Sequence, residues 1–157
     1  MNLRFGTKED IEKIKEPLRG SWIAHVDHDP EFVNRPIMEN STLEEYFSVC
    51  FDGSGKSQLL IAEIDGEIAG FAKVDVREVE KFYNEQTVLY LDDLYTMEQY
   101  RRQGVAAFLL KEVENLAREK KIKWLKARAY TWNKPVQKAN EAAGWKNLYS
   151  EWFKILE

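Results

Sequence analysis

The stretch 91–110 constrains the fold most, because an apolar strand is followed there by a tight turn and the first turns of a helix. The turn, residues 101–106, reads Arg-Arg-Gln-Gly-Val-Ala, and Gly104 permits a sharp change of direction directly before the helix. The first N–H groups of a helix have no internal partner and lie at the positive end of its dipole. The stretch therefore predicts a turn that binds anions, phosphates above all.

The residues on either side of the turn fit this prediction. Thr87–Tyr95 is a β-rich run, which supplies the strand. Apolar residues between Val105 and Ala117 recur at three- and four-residue steps, which puts one apolar stripe on a helix ending near Lys121. The motif thus lies between a strand and an amphipathic helix.

The rest of the chain predicts a regular succession of elements. Asp65-Gly66 marks a hairpin between strands at 59–64 and 67–76, since this dipeptide readily takes the positive φ angles of a tight turn. The other predicted elements are a strand at 3–5, a helix from Thr7 past Leu18, a partly helical connection from Ser21 to Asn40 after the breakers Pro17 and Gly20, a helix from Ser41 or Thr42 to Phe51, a strand at 124–130, a helix from Asn133 to Gly144 and a last strand from Leu148 to Leu156.

Composition bounds the class of protein. With 157 residues, 44% of them hydrophobic, residues 1–157 are predicted to form a single domain with a sizeable core. The net charge of -4 gives no reason to expect nucleic acid or an anionic membrane as partner and favours a cationic small molecule. Residues 1–5 have no apolar h-region, no stretch approaches the ~20 apolar residues of a membrane span, and Cys50 is the one cysteine, so we expect a cytoplasmic protein.

Two other kinds of site are considered and rejected. Residues 52–57, Asp-Gly-Ser-Gly-Lys-Ser, look like the end of a nucleotide-binding P-loop, but Cys50 stands where the motif needs glycine and a strand follows. We predict a flexible turn there. His25 and His28 lie among acidic residues, but without a third clustered His or Cys we predict no metal site.

Two motifs resemble those of the GNAT superfamily of N-acetyltransferases. The turn is similar to its acyl-CoA-binding motif, Arg/Gln-x-x-Gly-x-Gly/Ala, with Arg101, Gly104 and Ala106 at the fixed positions. Asn133, followed by Gly144-Trp145, resembles the later Asn...Gly-Phe signature. The predicted order β, α, α, β, β, β, α, β, α, β is also that of the family. The resemblance implies an α/β (α+β) fold with a mostly antiparallel mixed sheet flanked by helices and splayed between strands 4 and 5.

This resemblance implies acetyl-CoA as cosubstrate. Backbone groups of the fourth strand would hold the pantetheine arm as an added strand is held, amides from Arg102 to Ala107 would cradle the pyrophosphate, and Asn133 would contact the cofactor. The implied cofactor-binding residues are Leu94, Tyr95, Thr96, Arg101, Arg102, Gln103, Gly104, Val105, Ala106, Ala107, Asn133 and Asn140.

The candidate catalytic residues are two adjacent carboxylates, Asp92 and Asp93. Their strand, Tyr90–Thr96, looks most like the acidic strand of polyamine and thialysine N-acetyltransferases. An alkyl ammonium, with a pKa of roughly 10.4, must lose a proton before its nitrogen attacks a thioester. Alternation along a strand points the two side chains to opposite faces. We predict that Asp92 is the base, directly or through water, and that Asp93 attracts a second cation or ties down the structure.

The residue that protonates the leaving thiolate departs from the family pattern. Family members commonly have a tyrosine seven residues after the asparagine, and here Asn140 occupies that place. An amide donates a hydrogen bond but cannot deliver a proton. Either water protonates the thiolate, Tyr130 or Tyr149 substitutes, or the protein is weakly active or only binds CoA.

The predicted function is transfer of an acetyl group from acetyl-CoA to a small primary amine, with a di- or polyamine favoured. The alternatives are a protein amine, an aminoglycoside, or a CoA-binding module without catalysis. Candidate aromatic residues for the acceptor cleft are Trp22, Phe32, Tyr46 and Phe82. The family is often dimeric, so a homodimer through the aromatic C-terminal strand is also considered.

Overall fold

One mixed sheet with helices on both faces forms the fold in the computed structural model, which describes residues 1–154. The elements are β1 (Asn2–Phe5), α1 (Lys8–His28), α2 (Arg35–Asn40), α3 (Leu43–Ser48), β2 (Ser57–Ile64), β3 (Glu67–Glu78), β4 (Thr87–Thr96), α4 (Val105–Glu119), β5 (Trp124–Ala127) and α5 (Lys134–Ala142), with 3-10 turns at Val49–Phe51 and Glu98–Tyr100. The strands lie in the order β1-β2-β3-β4-β5, antiparallel except for the parallel pair β4 and β5. This is the mixed α+β sheet that the sequence predicts.

Apolar stripes of the helices cover both faces of the sheet. On one face, α4 contributes the fully buried Leu109 and Val113. On the other face, α1 and α3 contribute Ile14 and Phe47, which are also fully buried. Each such side chain adds about 1.5–3 kcal/mol of burial free energy, so helix packing on both faces fixes the position of the strand ends between them.

The sheet opens between β4 and β5. The two strands pair over only four residues, from Val88 opposite Trp124 to Leu91 opposite Ala127. Beyond that point β5 ends, three residues earlier than predicted, while β4 continues to Thr96 paired with β3 alone. The predicted splay between strands 4 and 5 is therefore confirmed.

A β-bulge lies in β4 at the start of this opening. Lys73 of β3 pairs with Asp93 and Val74 pairs with Leu91, which leaves Asp92 as an extra residue. A bulge interrupts the regular alternation of side chains along a strand. The carboxylates of Asp92 and Asp93 accept hydrogen bonds from the same Tyr46 hydroxyl. The prediction that they point to opposite faces is therefore wrong.

The end of the first helix also differs from the prediction. Pro17 and Gly20 do not end the first helix, because α1 continues through both to His28. Pro17 removes one helical hydrogen bond, but Leu18 and Val26 on the same helix are buried, and this packing outweighs the local preference.

The predicted last strand is wrong for residues 148–154, which have no regular structure, and its remaining part lies outside the described residues. Alternation favours a strand only where a neighbouring strand supplies hydrogen bonds, and this segment pairs with none among residues 1–154. Its side chains Trp152 and Phe153 are exposed, and the homodimer remains a prediction. No helix within residues 1–154 is long and apolar enough to cross a membrane.

Candidate active site

A cleft of about 250 Å³ lies where β4 and β5 part. Its walls come from elements that are far apart in the sequence: α1 supplies His25, β4 supplies Asp92 and Asp93, the segment after β5 supplies Tyr130, and α5 supplies Asn140. Clefts that combine aromatic walls with a few polar groups are typical ligand sites. The two predicted catalytic residues therefore lie in a cleft of this kind, at the opening of the sheet.

The acidic floor of the cleft is held by Tyr46. Its hydroxyl lies 3.1 Å from Asp92 Oδ2 and donates a closer hydrogen bond to Asp93 Oδ2. The ring of Trp22, which lines the cleft, packs edge-on against Tyr46 with centroids 5.0 Å apart. Burial raises the pKa of Asp93, the charge of Asp92 raises it further, and the Tyr46 hydrogen bond only partly offsets this.

Asp92 belongs to a network of ion pairs that the sequence analysis did not identify. Lys73, which is 3% exposed, places its Nζ 2.9 Å from Asp92 Oδ2 and 3.0 Å from Asp75 Oδ1. Arg77 Nη2 lies 3.0 Å from Asp92 Oδ1 and 2.8 Å from Asp75 Oδ2. Burial lowers the pKa of Lys73, but the carboxylates of Asp92 and Asp75 outweigh it and the net shift is upward. Lys73 is therefore charged at neutral pH.

These three residues had a detectable signal in the sequence. Lys73, Asp75 and Arg77 alternate along one strand with opposite charges, and alternate positions share a face. An alternating charged face on a strand is usually solvated, so this pattern alone does not predict a functional site. The bulge at Asp92, which aligns that carboxylate with the charged face, leaves no comparable signal.

The opposite wall of the cleft is aromatic. His25 Nδ1 lies 2.9 Å from the Ser21 carbonyl oxygen, which can only accept, so Nδ1 carries the proton and Nε2 does not. Burial lowers the pKa of His25, so its ring is neutral at neutral pH. The ring packs against Tyr130 and Trp132, with centroids 4.7 and 5.1 Å away.

A long-range contact joins the end of α1 to the segment after β5. Trp132 Nε1 donates a hydrogen bond of 2.8 Å to Asp29 Oδ2, across 103 residues of sequence. His28 stacks on the same indole, with centroids 4.0 Å apart. This contact holds the aromatic wall against α1.

The predicted phosphate-binding turn forms the start of α4. Arg102 and Gly104 adopt positive φ angles of 62° and 82°, and Gly104 occupies the N-cap position without a side-chain cap. The predicted cofactor residues Arg101–Ala107 therefore surround free helix N–H groups. They lie at the end of the loop that follows β4 rather than in the lining of the cleft.

Gly70 of β3 has a structural role that sequence reasoning missed. A Cβ atom at Gly70 would lie 2.6 Å from the Tyr95 carbonyl oxygen and 2.7 Å from Val105 Cγ1. The missing side chain lets the first turn of α4 pack closely on β3 beside the Tyr95 carbonyl of β4. A glycine inside a strand pattern is the signal for such an approach.

The remaining predicted cofactor residues lie along β4 and α5. Leu94 lines the cleft, whereas Tyr95 stacks on Phe71 with centroids 5.5 Å apart, and Thr96 ends the strand. Asn133 caps α5 by accepting a hydrogen bond of 3.4 Å from the Val136 N–H. It also lines the cleft, so it is both a cap and a candidate ligand.

Asn140 lines the cleft with an unused acceptor. Its Oδ1 is buried and has no hydrogen-bond partner among residues 1–154. A buried acceptor without a partner costs about 1–3 kcal/mol, which a bound donor would remove. Of the two tyrosines considered as replacements for the missing acid, Tyr130 lines the cleft and Tyr149 is 63% exposed outside it.

The four candidate aromatic residues divide into two pairs. Trp22 lines the cleft and Tyr46 binds its carboxylates. Phe32 stacks on Phe153 and Phe82 packs against Tyr83, so neither belongs to the cleft. Among residues 1–154, no group of three or more His, Cys, Asp or Glu side chains is arranged to hold a metal ion.

Known proteins resemble this chain in sequence pattern and in fold. The model of the acetyltransferase (GNAT) family matches residues 21–145. No curated protein matches the sequence significantly.

Several solved structures share the fold. The BH1408 protein from Bacillus halodurans, as a tetramutant, is 16% identical with a TM-score of 0.85, over 99% of this chain and 100% of that one. The aminoglycoside 6'-N-acetyltransferase from Acinetobacter haemolyticus is 17% identical with a TM-score of 0.74, over 100% and 99%. A predicted acetyltransferase from Clostridium acetobutylicum, with acetyl-CoA, is 20% identical with a TM-score of 0.69, over 99% and 95%.

Proposed function

Since the chain belongs to the acetyltransferase (GNAT) family, we propose that it transfers the acetyl group of acetyl-CoA to a primary amine by direct attack of the amine on the thioester. The observation that carries this proposal is the cleft at the opening of the sheet, which has a carboxylate pair on its floor and leads along β4 to an uncapped helix N-terminus. A neutral amine is itself a good nucleophile, so the reaction needs no covalent enzyme intermediate.

Acetyl-CoA fits along the free edge of β4. Beyond Leu91, no strand among residues 1–154 pairs with the β5 side of β4, so backbone groups of Leu94–Thr96 remain available to the pantetheine arm. The pyrophosphate would then reach the amides of Arg102–Ala107, where the helix dipole favours negative charge. The Clostridium acetobutylicum protein of the same fold was solved with acetyl-CoA, which supports acetyl-CoA as the cosubstrate.

The proton of the substrate ammonium goes to the carboxylate pair. The sequence favours Asp92 as the acceptor, but both carboxylate oxygens of Asp92 already accept hydrogen bonds from the charged Lys73 and Arg77, so a substrate ammonium competes with them there. Asp93 accepts a hydrogen bond from the neutral Tyr46 hydroxyl, and burial raises its pKa. We therefore propose Asp93 as the group that accepts the substrate proton. Asp92 instead positions Tyr46 and stabilises the bulge.

The reaction then proceeds in three steps. The neutral amine nitrogen attacks the thioester carbonyl carbon, and the C–N bond forms as the carbonyl becomes an oxyanion. The nitrogen, positively charged after the attack, loses its second proton to water, the oxyanion collapses, the C–S bond breaks, and CoA leaves as a thiolate. Water or the Tyr130 hydroxyl protonates this thiolate. Tyr130 and Leu94 both line the opening.

Release of free thiol tests the proposal. The purified protein is incubated with acetyl-CoA and a panel of primary amines, and thiol is followed with time. Thiol release above the amine-free rate, with N-acetylated product identified by mass spectrometry, is the expected result. No amine-dependent release from a protein that binds acetyl-CoA in calorimetry contradicts catalysis.

Asn140 favours one second candidate, a CoA-binding module without catalysis. The absence of a phenol at that position removes a proton donor from α5. Such a module binds acetyl-CoA but has no amine-dependent turnover, so neither Asp93→Asn nor Asp92→Asn changes any rate. A large rate loss in either variant excludes the module.

A further inference from the structure

The charges on the floor of the cleft are already paired, except one. Lys73 and Arg77 each lie within 3.0 Å of both Asp92 and Asp75, so two cations offset two carboxylates. Asp92 therefore cannot match a cationic group of the substrate unless one of these contacts breaks. In the sequence, the adjacent Asp92 and Asp93 look like a site for two ammonium groups. Because Asp92 is already in ion pairs, Asp93 is the acid that remains to bind a substrate ammonium.

Asp93 is the remaining acidic group. Among residues 1–154, no lysine or arginine lies within 4.0 Å of its carboxylate, and Tyr46, which donates a hydrogen bond to it, is neutral. The other charged side chain in the lining is Arg128, which adds positive charge at the exposed rim. The cleft thus presents one unmatched negative charge and repels a second cation at its rim.

The rest of the lining suits an apolar body. Trp22, Tyr90 and Tyr130 line the walls, together with the neutral ring of His25. The face of Tyr90 is already covered by the Arg77 guanidinium, 3.8 Å from the ring centroid, so a substrate cation has no access to that face. Flat, weakly polar walls bind aromatic or aliphatic groups better than further ammonium groups, whose desolvation they do not offset.

We infer that the acceptor is a primary amine with a single cationic group on an aromatic or otherwise apolar body, rather than a di- or polyamine or an aminoglycoside. This inference rests on the proposed function. Its ammonium pairs with Asp93, gives up its proton there, and attacks the thioester, while the body lies against the aromatic wall.

A substrate panel tests the inference. The probes are 2-phenylethylamine, n-hexylamine, 1,4-diaminobutane, spermidine and kanamycin, each assayed for kcat/KM by thiol release. We expect 2-phenylethylamine to exceed 1,4-diaminobutane by roughly tenfold or more, because an unmatched buried ammonium loses at least one charged hydrogen bond, with n-hexylamine between them. A diamine, polyamine or aminoglycoside that equals or exceeds 2-phenylethylamine overturns the inference and leaves the proposed function standing. No turnover of any amine overturns both.

Variants of the ion-pair network test the cause. Arg77 is 40% exposed at its side chain, so Arg77→Gln removes one partner of Asp92 from a tolerant position. The ratio of kcat/KM for 1,4-diaminobutane to that for 2-phenylethylamine is expected to rise roughly tenfold, since Asp92 then accepts a second ammonium. Arg118→Gln, which removes an exposed arginine paired with Glu114 on α4, is the matched control and leaves the ratio unchanged. An unchanged ratio in Arg77→Gln overturns the inference.

Discussion

The predicted phosphate-binding turn and the proposed acceptor cleft are built in opposite ways. The turn consists of consecutive backbone groups, and its form depends on one glycine at positive φ followed by a helix. The cleft consists of side chains from α1, α3, β3, β4, the segment after β5 and α5. The comparison teaches that a site made by the backbone is readable in a short stretch of sequence, whereas a site made by distant side chains depends on the packing of the whole domain.

The largest expected effect is at the turn. Gly104→Glu puts a negative side chain and a strained left-handed backbone at the helix N-terminus, so we expect acetyl-CoA affinity to fall by roughly a thousandfold or more. Calorimetric titration with acetyl-CoA measures this change.

Gly53→Glu is the matched control for that variant. Gly53 has a similar φ of 77° in an exposed loop and has no neighbouring atom within 4 Å of an added Cβ. It carries the same strain and the same charge away from the turn, and its affinity should equal that of the unmodified protein. Equal affinities in both variants contradict the placement of the pyrophosphate.

The next effect, on the cleft, is a pH dependence. Asp93 must be ionised to accept a proton, and burial raises its pKa, so kcat/KM falls about tenfold per pH unit as the pH drops below that raised value. The fall begins above the range where an ordinary aspartate, with a pKa of about 3.9, titrates. The pH–rate profile of Asp93→Asn should lack this limb and follow the ionisation of the free amine instead. A limb that persists in Asp93→Asn belongs to another group.

These two predictions rest on different amounts of sequence information. The turn was fully predictable, because Gly104 and the periodic apolar residues after it lie within a few residues of one another. The acidic floor was predictable only as the presence of Asp92 and Asp93. Their partners depend on the bulge opposite Lys73, and an extra residue in one strand has no sequence signature when the strand is otherwise apolar.

Most of the fold was predicted from local sequence patterns. The errors of this prediction have one cause. The hairpin at Asp65-Gly66 and the helix after Gly104 form as predicted, because each is determined by neighbouring residues. The continuation of α1 past Pro17 and the lack of a strand at 148–154 depend on distant packing partners, which local preference does not include.

A smaller effect is expected where the turn rests on the sheet. Gly70→Ala places a Cβ 2.6 Å from the Tyr95 carbonyl oxygen. Because this oxygen belongs to the backbone, the clash is relieved only if β4 moves. We expect the free energy of unfolding, measured by urea denaturation, to fall by about 2 kcal/mol. Gly20→Ala is the contrasting variant, because nothing lies within 4 Å of its added Cβ and α1 gains about 1 kcal/mol of helix propensity. Equal effects of the two substitutions contradict the close packing of α4 on β3.

The smallest effect concerns the wall of the cleft. Trp132→Phe keeps the aromatic contacts with His25 and His28 but removes the hydrogen bond to Asp29. We expect the free energy of unfolding to fall by about 1 kcal/mol and the amine KM to rise several-fold, with acetyl-CoA affinity unchanged. A change in acetyl-CoA affinity instead of amine KM contradicts the separation of the two regions.

The most direct test of the central claim compares kcat/KM of Asp93→Asn and Asp92→Asn with a reactive amine at neutral pH. If Asp93 accepts the substrate proton, Asp93→Asn loses roughly 10²–10⁴-fold with acetyl-CoA affinity unchanged, and Asp92→Asn, which disturbs an ion-pair network, loses less. A near-normal rate in Asp93→Asn beside a larger loss in a folded Asp92→Asn contradicts the account.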